Sequence, residues 1–413
     1  MRRSSTLLER ALAAAGLAPM LLPMLLMTAP ARVAAQDLSA VDPGYQHFYN
    51  LEYDDALAIF RADAAKNPNS AEALNHIAQT ILYRQMFRAG TLESQMVTGN
   101  NPFLRRAEMK ISAADEKEFL DSLDHALALS EARLQKNPDD VPALYAQGVS
   151  YGLRCNYHFL VHKAWIDALK DATASRKAHH RVTELDPSSV DASLMQGVYD
   201  YVIGSLPPLW RTLGFLAGYV GDRNRGVDTL RMVADKGKIN RTDAAVVLCA
   251  ILRREKRPKE TVPFLLDLIE KYPRNFLLRL ELVQMYGEFG ERDKALAVIS
   301  QMDQLKKSRA SGFDRIPEET ILYTRGNLLF WYNDLDRALA DIKEVTAKAT
   351  ALDLNTGVYA WLRLGQIYDL KGNRKEAVHA YNQTMVFAPG SDAANEAMSY
   401  ALTKYKRQPD KNQ

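Results

Sequence analysis

Apolar residues recur along most of this chain at offsets of three and four, in blocks separated by short polar turns. The clearest block runs from Thr356 to Pro389. Trp361, Leu364 and Tyr368 fall on one face of a predicted helix, and Gly365 among them leaves room for a second helix to approach. After the turn at Lys371, Gly372 and Asn373, a second stripe of Ala377, Tyr381 and Thr384 predicts the partner helix, which Pro389 stops.

Weaker copies of this hairpin fill the rest of the chain. Ala56, Phe60 and Pro68 repeat the spacing of Ala377, Tyr381 and Pro389. Ser70 then N-caps a first helix with Leu74, Ile77, Ala78 and Ile81 inward, and its partner, with Ala126 and Pro138, comes only after an insertion over residues 88–112. Leu144, Gly148 and Tyr151 open a third unit whose partner ends at Leu185, before Pro187. Gly197 marks a fourth first helix, broken by Pro207 and Pro208. From Asn240 the period becomes regular: Ala295 follows Thr261 by thirty-four positions, and Gly326 stands twelve before Ala338 as Gly365 does before Ala377. Residues 391–405, opened by Ser391 and richer in polar residues, read as a capping helix, and residues 406–413 as a frayed tail.

Trp361, Leu364, Gly365, Tyr368, Ala377, Tyr381 and Pro389 sit at the characteristic spacings of the tetratricopeptide repeat family, which the chain resembles over most of residues 40–405. The resemblance implies an all-α fold: a tetratricopeptide-type α-solenoid of about seven or eight helix pairs with insertions, irregular over 36–239 and regular over 240–389. Gly226 and Thr261 replace the small residues expected in second helices, so the repeat count between 200 and 270 stays open. Residues 206–230, with Pro207-Pro208, an apolar run and Gly221-Asp222-Arg223, are similar to the tetratricopeptide repeat protein 39 family, whose members that resemblance places at mitochondrial outer membranes, lipid droplets and inclusion bodies.

Composition adds compartment. Arg2 and Arg3, an apolar run interrupted by Pro19 and Pro23, and Val33-Ala34-Ala35 before Gln36 read as a secretory signal peptide over 1–35. Its removal takes four arginines and one glutamate, so the formal charge falls from +3 to zero and no net charge draws the mature chain to nucleic acid. The expected location is therefore periplasmic or secreted. Cys155 and Cys249 lie several repeats apart, beyond the about 7 Å a disulfide spans, and read as buried thiols.

Chemistry is sparse. His158 and His162 share a helical face at the spacing of two zinc ligands, but a third ligand is missing and Phe159 stands where the metalloprotease motif needs glutamate. Gly214, Gly218, Gly221 and Gly226 precede no Gly-Lys-Ser/Thr, so they predict close helix packing. Neither a nucleophile elbow nor Cys-x-x-Cys occurs. Acidic pairs at Asp54-Asp55, Asp139-Asp140 and Glu318-Glu319 complement helix starts. The sequence thus predicts no catalytic residue, cofactor or metal.

A solenoid lines a concave side with its first helices. The offsets that turn Trp361, Leu364 and Tyr368 inward expose Asn75, Gln79, Tyr83, Tyr145, Tyr201, Arg253, Arg254, Gln284, Tyr323, Asn327, Gln366 and Asp369, with Leu362 beside them. Amides and tyrosines suit an extended peptide, the amides bonding its backbone and the rings supplying area. The expected function is a non-enzymatic scaffold for a protein or peptide partner, with no nucleic acid. The alternative is a peripheral membrane adaptor docking through residues 206–220, which competes with burial of that segment as core.

Overall fold

The computed structural model describes residues 42–92, 109–208, 211–212, 219–348 and 354–407. The expected leader, most of the insertion after residue 88 and much of 206–220 lie outside them. Seventeen α-helices occur among the described residues, in two compact units divided between Pro273 and Arg274.

The N-terminal unit holds five hairpins. They are α1 (Pro43–Tyr49) with α2 (Tyr53–Lys66), α3 (Ala71–Arg88) with α4 (Ala113–Lys136), α5 (Val141–Leu160) with α6 (Trp165–Leu185), α7 (Ser193–Gly204) with α8 (Arg223–Lys236), and α9 (Arg241–Arg254) with α10 (Val262–Lys271). Single 3-10 turns at Val190–Ala192 and Pro258–Thr261 lead into α7 and α10. The C-terminal unit holds α11 (Phe276–Glu288) with α12 (Arg292–Lys307), α13 (Glu318–Trp331) with α14 (Leu335–Ala347), α15 (Leu354–Leu370) with α16 (Arg374–Phe387), and the closing α17 (Asp392–Leu402).

One contact repeats and fixes the hairpins. A small residue in the second helix lets the helices close, and the side chain one turn later lies on a glycine of the first helix, close enough to press on any added Cβ. Tyr381 follows Ala377 and covers Gly365, whose Cβ would meet a ring carbon at 2.5 Å. Phe60 follows Ala56 and covers Gly44, at 2.7 Å from Phe60 Cζ. His179 follows Ser175 on Gly148, Leu230 follows Gly226 on Gly197, and Ile342 follows Ala338 on Gly326. Ala56, Ser175, Ala338 and Ala377 are fully buried. The degenerate stretch therefore keeps the hairpin geometry, with Gly226 in the small slot.

Helix ends follow their residues. Ser70 Oγ accepts the N–H of Ala73 and Ser391 Oγ that of Ala394, both at 3.1 Å, satisfying first-turn donors. Asp140 and Asp222 cap α5 and α8 in the same way, and Glu318 and Glu319 stand in the first turn of α13. Gly372, at φ +83°, turns α15 into α16. Cys155 and Cys249 are both buried, and burial pushes the Cys155 thiol up to about 12.

Candidate functional site

The two units treat their first-helix faces differently. In the N-terminal unit, seven of the predicted contact residues are placed, and all but Arg254 are buried: Asn75, Gln79, Tyr83, Tyr145, Tyr201 and Arg253. This corrects the expectation of an exposed amide and tyrosine row there.

The reason is a polar network across adjacent first helices. Asn75 Nδ2 donates to Ala146 O at 2.9 Å and its Oδ1 accepts from the Ser150 hydroxyl at 2.7 Å, tying α3 to α5. Asn240, before α9, donates to the Tyr145 hydroxyl at 2.7 Å. Asp191 accepts the backbone N–H groups of Lys238, Ile239 and Asn240. Tyr201 donates to Glu255 at 2.6 Å. The short α1 closes the row: Tyr45 donates to Gln79 at 3.0 Å, and Tyr49, one turn on, donates to Asp243 of α9 at 3.1 Å with its ring 4.9 Å from that of Tyr272. Tyr83 packs on Phe48 of α1, ring centroids 5.0 Å apart. Burial and Asp243 hold both Tyr45 and Tyr49 far above the ordinary tyrosine range. These hydroxyls therefore act as donors within the fold.

In the C-terminal unit the same face stays partly open. Gln284 of α11 and Tyr323 and Asn327 of α13 are partly exposed. Leu362, Gln366 and Asp369 of α15 are buried, against expectation. Asp369 is interior, accepting from Arg374 at 2.9 Å, the Tyr381 hydroxyl at 2.9 Å and the Tyr405 N–H at 2.8 Å. Gln366 accepts from Arg363 Nη1 at 2.6 Å. Gln284, Asn327 and Gln366 occupy the same place in successive first helices, each one residue after the position that faces the partner helix (Val283, Gly326, Gly365). Among the described residues, Gln284 Oε1 and Asn327 Oδ1 are enclosed by protein and have no hydrogen-bond partner. The sequence offsets include this pair among the expected contacts. They missed Arg363, whose guanidinium lies on the Phe330 and Trp331 rings at 4.1 and 4.9 Å.

On the opposite side of α15, a cleft of about 460 Å³ is lined by Trp361, Leu364, Tyr368, Lys343, Lys375 and His379. His158 lies in the last turn of α5 but His162 lies past its end, so the two do not share a helical face as expected and are taken up separately. His158 lies 3.6 Å from Asp171, while His162 lies 2.7 Å from the Tyr157 hydroxyl, which donates to Glu116. Among the described residues, His47, Glu52 and Asp55 are the group whose ligand atoms come close enough, within 4.8 Å of one another, to hold a metal ion. The His47 Nδ1 contact to Glu52 at 2.7 Å accounts for their proximity at the α1–α2 turn.

No protein-family model matches the chain, and no curated protein matches it. Solved structures do. Human IFIT1, as a dimer with m7Gppp-AAAA, is 11% identical with a TM-score of 0.43, covering 93% of this chain and 84% of that one. Yeast Tom70 is 13% identical with a TM-score of 0.39, covering 87% and 93%. Cut9, from the APC/C hetero-tetramer with Hcn1, is 12% identical with a TM-score of 0.39; the match covers 88% of this chain but 64% of Cut9.

Proposed function

We propose that this chain is a non-enzymatic, exported scaffold whose C-terminal unit binds an extended segment of a partner protein along the first helices α11, α13 and α15. The observation that carries the proposal is the enclosed, unpartnered oxygens of Gln284 and Asn327 at equivalent repeat positions. A buried polar atom without a partner is costly, and a passing strand of peptide backbone offers N–H donors at regular intervals to satisfy it once these partly exposed side chains turn outward. Tyr323, partly exposed one turn before Asn327, adds ring area beside that path.

The N-terminal unit offers no such open row, since Asn75, Gln79, Tyr83, Tyr145 and Tyr201 are buried within it. No helix among the described residues is long and apolar enough to cross a membrane, and most of the apolar segment 206–220 lies outside them. Export rests on the leader read in residues 1–35, and sequencing the mature N-terminus is expected to begin at Gln36.

The binding reading is tested with peptides selected against the full chain from a random library. Gln284→Ala and Asn327→Ala are each expected to weaken the selected peptides by roughly tenfold, about 1.4 kcal/mol, while melting temperature holds. Unchanged affinity in both variants would count against it.

A further inference from the structure

Arg363 differs from Arg325, Arg292 and Arg374 of the same unit. Arg325 reaches Asp341 through Nε and Nη2 at 2.8 and 2.7 Å. Arg292 pairs with Asp334 at 2.9 Å, and Arg374 with Asp369. Arg363 makes its one hydrogen bond to the neutral amide oxygen of Gln366; its Nε is enclosed without a partner, and among the described residues no carboxylate comes within the 4.0 Å of an ion pair.

Its surroundings deepen the deficit. Arg407 lies on the same Phe330 ring at 4.8 Å. That second cation is accounted for, because it donates to the Phe330 and Trp331 carbonyls at the negative end of α13. Burial lowers the Arg363 pKa and Arg407 acts in the same direction, while Tyr323, Tyr405 and Glu396 oppose them from a distance. The guanidinium stays charged regardless. Two rings flank it, so a largely buried cation stands without an ion-pair partner beside the amide row.

We propose that Arg363 is the anchor for a carboxylate side chain of the bound peptide, so that the partner segment carries an aspartate or glutamate where it passes α15. The inference rests on the peptide-binding reading above and adds the chemistry of what is bound. A guanidinium edge matches a carboxylate with two parallel hydrogen bonds, and aromatic stacking holds that edge ready. A neutral residue at the same place leaves the cation uncompensated, so the site selects by charge.

The test uses the full chain and two immobilised sets of extended peptides, identical except that every glutamate in one is glutamine in the other. The wild-type chain is expected to hold its best glutamate peptides roughly tenfold more tightly than their glutamine twins, with the margin shrinking as salt is raised. Arg363→Gln is expected to erase the margin while leaving glutamine peptides bound as before, and Arg363→Lys to keep part of it. Twins of equal affinity on the wild-type chain, or an Arg363→Gln loss that falls equally on both sets, would overturn the inference and leave peptide binding standing. Failure of every peptide in both sets overturns both. Melting curves of the variants show that a lost margin is not lost folding.

Discussion

Gly226 offers the sharpest test of how the irregular hairpin α7–α8 is packed. A Cβ at Gly226 would lie 2.7 Å from the Gly197 carbonyl oxygen and 2.8 Å from Tyr201 Cα, both backbone atoms of α7. Backbone has no rotamer to change, so Gly226→Ala forces the helices apart and loosens Leu230, which is fully buried. Overpacking costs about 3 kcal/mol at the upper end of its usual range and the better helix propensity of alanine returns about 1, leaving a net loss of about 2 kcal/mol. Gly197→Ala lies across the same interface, but its Cβ would meet only the Leu230 and Thr229 side chains, at 3.0 and 3.2 Å. Those can yield, so that variant is expected within about 0.5 kcal/mol of wild type. Thermal denaturation of the full chain by circular dichroism is the assay. For a unit of this size about 2 kcal/mol lowers the melting transition by about 4–8 °C. A Gly226→Ala chain as stable as wild type, or more so, would refute the close approach of α7 and α8, because helix propensity alone predicts a gain.

Three further outcomes follow from the same contacts. Asn75→Ala removes the link from α3 to α5 and is expected to cost about 2 kcal/mol in urea unfolding, while Asn327→Ala stays within about 0.5 kcal/mol. Equal losses would mean the two faces are equivalent. His179 is fully buried against Gly148, and burial lowers its pKa to about 4, whereas the unfolded chain titrates near about 6.5. The unfolded state alone takes up the proton between those values, so the stability due to neutral His179 is complete above about pH 6.5 and is lost as pH falls toward about 4, about 3 kcal/mol in all. His179→Phe keeps a ring on Gly148 and is expected to flatten the stability profile across that window; an unchanged slope would assign it to other groups.

Much of the fold was legible because helix hairpins are specified locally. Ala377 and Tyr381, Ala56 and Phe60, and the caps at Ser70 and Ser391 all lie within a few residues of the partners that give them meaning. The pair of Ser175 and His179 escaped notice because neither is a usual type for its slot, although the geometry matches Ala377 and Tyr381. The sequence places the onset of regularity at Asn240, whereas the compact units divide after Pro273. Tyr272 packs on Tyr49, so the hairpin of α9 and α10 is joined to the first helix of the chain.

Exposure was harder to read, for a physical reason. The offsets that mark Asn75 and Asn327 as equivalent are properties of one helix, but their burial depends on what crosses the face. In the N-terminal unit α1 supplies Tyr45 and Tyr49 to that crossing, linking residues up to 194 positions apart, and no local spacing encodes it. Arg363 was missed for a related reason. A lone arginine in a helix looks solvated until its rings and its lack of a carboxylate are seen in three dimensions.

Hydrogen exchange of the full chain, with and without the tightest peptide selected from a random library, bears most directly on the division between a buried N-terminal row and a partly open C-terminal one. The account predicts added protection in residues 276–288, 318–331 and 354–370, with 71–88, 141–160 and 241–254 unchanged. Protection confined to the N-terminal helices, or none in either unit at saturating peptide, would contradict it.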